Sequence, residues 1–84
     1  MRYRRAQTKD ELIERLADLF SQLPNHSVQY ADGRIVLQSY DAGSGNTQLW
    51  DRSKLKSMSI RRLKELITKK KRMLTAQKFI QLWR

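Results

Sequence analysis

From Lys9 onward the apolar residues recur at intervals of three and four: Leu12, Ile13, Leu16, Ala17, Leu19, Phe20 and Leu23. At 100° per residue these positions share an arc of about 160°, and Glu11, Glu14, Asp18 and Gln22 fall outside it. Thr8 stands three residues before Glu11, so hydroxyl and carboxylate can each satisfy one of the orphan N–H groups of a helix start, a capping box. Pro24 closes the segment, because the residue before a proline is pushed out of the α region. The pattern predicts a helix over about 9–23 with an acidic outer face, a core element and not a phosphate binder.

The period then changes from 3.6 to 2. Val28–Ala31 and Arg34–Tyr40 are rich in β-branched and aromatic residues, and Asp32-Gly33 stands between them, a pair favoured where both turn residues need positive φ. A two-residue turn sets Ala31 opposite Arg34, Tyr30 opposite Ile35, Gln29 opposite Val36 and Val28 opposite Leu37. Val28, Tyr30, Ile35 and Leu37 then lie on one face, as a correct register requires. Residues 41–46, Asp-Ala-Gly-Ser-Gly-Asn, read as a flexible loop, after which Thr47–Trp50 return as a short third antiparallel strand.

From residue 52 the chain is basic and helical. Residues 52–57 predict a single turn with Asp51 available as its cap. Ser59 is an N-cap for a longer helix, with Met58 and Leu63 flanking it as a hydrophobic staple. Ile60, Leu63, Leu66, Ile67, Met73 and Leu74 occupy an arc of about 140° facing the sheet or the first helix, while Arg61, Arg62, Lys64, Lys69, Lys71 and Arg72 take the outer arc. After Thr75 the phase shifts: Ala76, Phe79, Ile80, Leu82 and Trp83 fall roughly opposite the earlier stripe. Either Thr75 begins a separate short helix that folds back, so that the long helix is kinked or split there, or the helix continues and offers Phe79, Ile80 and Trp83 to another chain. The expected fold is α+β, one domain over residues 1–84: helix, three-stranded antiparallel meander, long basic C-terminal helix. Residues 1–7 form a basic arm and 75–84 a candidate oligomerisation or partner-binding tail.

Charge sharpens this picture. The net charge is +10 over 84 residues. Residues 1–51 carry six basic and seven acidic side chains, a net of −1, and residues 52–84 carry twelve basic side chains against Glu65 alone, a net of +11. Crowding like charges costs folding free energy through self-repulsion, and a polyanion relieves it. The bland alternative is a solvated helix face that keeps the protein soluble, for which much less charge suffices. A chain this short buries a modest core, so help from a partner subunit is a reasonable prior. There is no cysteine, which removes disulfides, thiolate metal sites and cysteine nucleophiles. No run of about 18 apolar residues is present, so a soluble, cytoplasmic protein is expected.

The chain offers little for catalysis. His26 is the only histidine, placed beside Pro24 and expected at the surface, with no second imidazole or thiol for a metal. No lysine stands in an evident desolvated pocket to activate a nucleophile. Asp32, Asp41 and Asp51 could in principle converge on Mg²⁺, but Asp32 is explained by the turn and Asp51 by a cap. Gly43-Ser44-Gly45-Asn46 lacks the lysine and strand-to-helix setting of a phosphate-cradling loop. No enzyme activity, cofactor or metal is expected.

The expected function is therefore non-enzymatic nucleic-acid binding, to DNA or RNA, mainly by phosphate contacts from the C-terminal helix, in a regulatory or architectural role. The candidate contacts are Arg61, Arg62, Lys64, Lys69, Lys71 and Arg72, with Lys54, Lys56, Arg4 and Arg5 assisting. Arg2, Arg4 and Arg5 form an arm suited to a minor groove or a backbone, or else a tail with no role. Tyr40 and Trp50 flank the glycine-rich loop, as core residues or as platforms for unpaired bases. Phe79, Ile80 and Trp83 are the candidate interface, for a homodimer or a protein partner. The element order is similar in outline to that of double-stranded-RNA-binding domains, in which the start of the last helix meets phosphates; here that start reads Ser59-Ile60-Arg61-Arg62 without a lysine-rich run, so the likeness is one of order alone. A helix-turn-helix arrangement with 59–72 as recognition helix is a further option, although no well-formed helix directly precedes it. The alternative function is a small interaction module or inhibitor that binds a larger acidic or nucleic-acid-handling complex.

Overall fold

A computed structural model describes residues 8–82. Six elements follow in order: α1 (Lys9–Gln22), β1 (His26–Ala31), β2 (Arg34–Asp41), β3 (Asn46–Trp50), α2 (Arg52–Ser57) and α3 (Ile60–Leu82). The fold is α+β, an antiparallel sheet between an N-terminal and a C-terminal helix, as the pattern predicts.

Local chemistry accounts for α1 at both ends. The Glu11 N–H donates to Thr8 Oγ1 at 3.2 Å and the Thr8 N–H donates to Glu11 Oε1 at 2.8 Å, which is the predicted capping box. Leu23 leaves the helix with φ −91° and ψ 144°, the extended conformation that Pro24 imposes on its predecessor. All seven apolar positions from Leu12 to Leu23 are buried.

The sheet has the order β1-β2-β3, both pairs antiparallel. Its β1–β2 register is the one the turn predicts, from Ala31 opposite Arg34 to Val28 opposite Leu37. Asp32 and Gly33 take φ of 54° and 73°, the left-handed pair of a tight hairpin. Tyr30 shares the inner face by register yet remains 74% exposed, on the groove between α1 and the hairpin. The connection after β2 is not a loose loop. Asp41 accepts the Gly43 N–H at 3.1 Å and the Ser44 hydroxyl at 2.9 Å through its two oxygens, and the Asp41 carbonyl accepts the Gly45 N–H at 2.7 Å. Three acceptors from one residue close it as a turn.

One core joins the layers. Ile35 and Leu37 of β2 and Trp50 of β3 pack with Leu16 and Phe20 of α1, Leu55 of α2, and Leu63 and Ile67 of α3. Phe20 stands edge-on to Trp50, ring centroids 5.6 Å apart and planes at 86°, a favourable arrangement of ring quadrupoles. Trp50 is therefore core. Tyr40, on the opposite face of the sheet, is exposed. No helix among the described residues is long and apolar enough to cross a membrane.

Two short N-terminal signals position α2 and α3. Asp51 Oδ1 accepts the Lys54 N–H at 2.8 Å, and Ser59 Oγ accepts the Arg62 N–H at 3.1 Å. Met58 and Leu63 bracket the second cap, half-buried and buried respectively. α3 packs chiefly against α1. Its buried line is narrower than the apolar arc: Leu63, Ile67 and Lys70 are buried, whereas Ile60 and Met73, at the margins of the arc, are about 41% and 40% exposed. The helix is unbroken through Thr75, so it is not split there; it continues, and Phe79 and Ile80 are 59% and 54% exposed.

Candidate nucleic-acid interface

The rotation of α3 decides which charges face outward. With Leu63, Ile67 and Lys70 turned inward, the 100° advance per residue carries Arg61, Arg62, Lys64, Lys69, Lys71 and Arg72 to the free side. All six are exposed, and Lys78 extends the series one turn beyond Leu74. Glu65 is the one carboxylate on the helix. Its Oε2 lies 4.0 Å from Arg61 Nε, with both side chains largely in water, so the pair is weak and leaves the field of the ridge in place.

α2 contributes unequally. Lys54 is exposed, its ammonium 5.8 Å from the centroid of the Trp50 ring. Lys56 is half-buried and paired with Asp10 at 2.7 Å, while its backbone carbonyl accepts from Lys9 Nζ at 2.8 Å. This lysine ties α2 to the start of α1, and its hydrogen bond and charge lower the Asp10 carboxyl below the ordinary range. Lys56 belongs to the scaffold more than to the ridge. Arg4, Arg5 and Trp83 lie outside the described residues.

The outward arc bears no resemblance to the surface around α1. A groove of about 910 Å³ runs between α1 and the hairpin, and Asp10, Glu14 and Asp18 stand along it with Ile13, Ala17 and Val28. Arg52 also lines this groove and Lys56 pairs with Asp10, but the acidic side chains of the groove suit a polyanion less well than the outward arc of α3 does.

His26, expected at the surface, meets a buried lysine instead. Lys70 is 6% exposed, and its ammonium donates to His26 Nε2 at 2.9 Å while lying 5.2 Å from the centre of the Phe20 ring. His26 Nδ1 is 2.7 Å from the Pro24 carbonyl. A carbonyl only accepts, so Nδ1 carries the proton and Nε2 is the acceptor for Lys70. The imidazole also stands edge-on to Phe20 at 4.8 Å. Burial lowers the pKa of both groups, and the neighbouring charge of Lys70 acts in the same direction on His26. His26 is thus a half-buried packing residue, and a desolvated lysine does exist. On the wheel Lys70 sits in the middle of the apolar arc, although it is embedded in the run Lys69-Lys70-Lys71-Arg72.

Asp32, Asp41 and Asp51 do not converge: they serve the hairpin turn, the β2–β3 turn and the α2 cap. Among the described residues no three histidine, cysteine, aspartate or glutamate side chains gather as metal ligands. Compared with protein-family profiles, with curated proteins and with solved structures, the chain matches none of them.

Proposed function

We propose that this protein binds nucleic acid through the phosphate backbone, using the outward arc of α3, and serves as a regulatory or architectural factor. The observation that carries the reading is the exposure of Arg61, Arg62, Lys64, Lys69, Lys71 and Arg72 on one rigid helix with a single intervening carboxylate. Such an array neutralises phosphates and releases condensed counterions, the main source of sequence-independent affinity. Lys54 extends the ridge toward β3. A second copy, bound through Phe79 and Ile80, would bring two ridges together.

The test is a mobility-shift comparison of duplex DNA, single strands and RNA with wild type and with Arg61, Arg62, Lys69 and Lys71 changed to Glu. All four side chains are exposed, so the variant keeps its fold, and circular dichroism checks this. Binding at about 100 mM salt is expected to disappear in the variant. Retained affinity sinks the reading.

A second reading is a protein-interaction module for an acidic or nucleic-acid-handling complex. It is favoured by the exposure of Phe79 and Ile80, at 59% and 54%, beside the basic ridge. Under it the same Glu variant leaves nucleic-acid binding unaffected or finds none to remove.

A further inference from the structure

The distribution of side chains around α3 says more than their number. Taking the inward direction as that of Leu63, Ile67 and Lys70, the exposed charged and hydroxyl-bearing residues of the helix fall into three lines. Lys64, Lys71 and Lys78, spaced by seven, run along one flank. Arg62 and Lys69, also spaced by seven, run along the other, about 170° away around the axis at 100° per residue. Between them, on the crown farthest from the core, stand Arg61, Glu65, Thr68, Arg72 and Thr75 at spacings of four, three, four and three. All of these residues are exposed.

A helix resting on a single rail of phosphates needs charge on one side. Charge on two opposed flanks with a different crown suits a helix held between two rails. The charged groups on both flanks are ammonium and guanidinium groups, the chemistry of phosphate contact, with Ile60, Met73 and Ile80 exposed beside them. The crown carries the types that read base edges: arginine for the guanine O6 and N7 acceptors, glutamate for the cytosine amino group, threonine for the thymine methyl. An α-helix with its side chains is about 10–12 Å across, and the major groove of B-form DNA is about 12 Å wide, whereas that of A-form RNA is too narrow to admit side chains. From Arg61 to Thr75 the crown is roughly 21 Å long at 1.5 Å per residue, about six base pairs at 3.4 Å each. We infer that α3 is a recognition helix for the major groove of duplex DNA, its two flanks set against opposite phosphate walls and its crown against the base edges. Glu65 lies 4.0 Å from Arg61 on the crown.

This inference rests on the nucleic-acid reading above, and the experiment separates the two. Affinities are measured for a DNA duplex, an RNA duplex of the same sequence and the corresponding single strands. A random DNA duplex pool is then enriched on the protein, and the enriched sequence is probed by dimethyl sulfate at guanine N7, which lies in the major groove. The expected results are at least about tenfold preference for the DNA duplex, an enriched motif and N7 protection within it. Arg72→Ala is expected to lower the preference for enriched over random duplex about tenfold, while Lys64→Ala and Lys71→Ala weaken both alike. Equal binding of DNA and RNA duplexes, preference for single strands, absence of an enriched motif or unprotected N7 positions each overturn the recognition-helix assignment and leave the phosphate-binding reading in place. No binding to any nucleic acid at about 50 mM salt removes that reading itself, and this inference with it.

Discussion

At the scale of single residues the most unusual feature is a lysine inside the core, held by an imidazole nitrogen and an aromatic face. A desolvated ammonium without a carboxylate opposite it is costly, and burial shows this by lowering the pKa of Lys70. Lys70→Met keeps the length of the stem and removes the charge; about 1 kcal/mol of added stability at pH 7 is expected in urea denaturation. The same pair sets a pH dependence. Below about 6.5 the unfolded chain takes up a proton on His26 that the folded chain resists, so stability falls as pH drops through that range. Below 10.5 the unfolded chain holds a proton that folded Lys70 gives up at lower pH, so stability rises with pH between the two values. At the acid end Asp10 and Asp41, both lowered from 3.8 by hydrogen bonds, add stability above that value and lose it as pH falls further. Urea midpoints should therefore climb as pH rises toward 6.5 and again as it rises toward 10.5, and both slopes should flatten in a His26→Gln, Lys70→Met double variant. A wild-type profile flat on approach to both values would contradict the arrangement. None of this was apparent from residue type, since a lone histidine beside a proline reads as surface; the wheel position of Lys70, inside the apolar arc, was the hint.

Elements were legible to the degree that their signals are local. The capping box, Pro24 and the Asp32-Gly33 pair act within a few residues, and the ends of α1 and the β1–β2 register follow from them. Gly33→Ala, at φ 73° and with open space around its Cα, tests the turn through backbone strain alone; a loss of about 1 kcal/mol is expected. The rotation of α3 was less legible. An apolar arc of about 140° leaves its margins undecided, and only packing against α1 shows that Leu63 and Ile67 are covered while Ile60 and Met73 are not. Leu63→Ala is expected to cost 2–5 kcal/mol or about that, because it empties a fully buried position between α3 and the core, whereas Met73→Ala should change little. Comparable losses at both would mean that the helix is rotated differently. The β2–β3 turn escaped prediction because glycine and serine spacing suggests looseness, while the bonds that close it come from the Asp41 side chain and carbonyl.

At the scale of the molecule, charge and apolar surface are sorted rather than mixed. The groove beside α1 and the basic arc of α3 occupy separate surfaces of a body 44 × 37 × 20 Å in extent, and the exposed Phe79 and Ile80 continue the outward side of α3 beyond the basic arc. The separation was visible in the sequence as net charges of −1 and +11 on its two parts. The role of Lys56 was not, because its pairing with Asp10 is a tertiary contact between residues far apart in the chain. If the C-terminal end of α3 joins two copies, light scattering after size exclusion gives a dimer mass for wild type and a monomer mass for Ile80→Asp; a monomeric wild type would remove the dimer. The claim on which the account turns is that the α3 arc neutralises phosphates. Its most direct measurement is the affinity for a DNA duplex across about 50–200 mM salt. Six contacts predict a slope of log K against log salt near −5, falling to about −2 when Arg62, Lys64, Lys69 and Lys71 become Gln. A slope near zero in the wild type, or one unchanged in the variant, would contradict it.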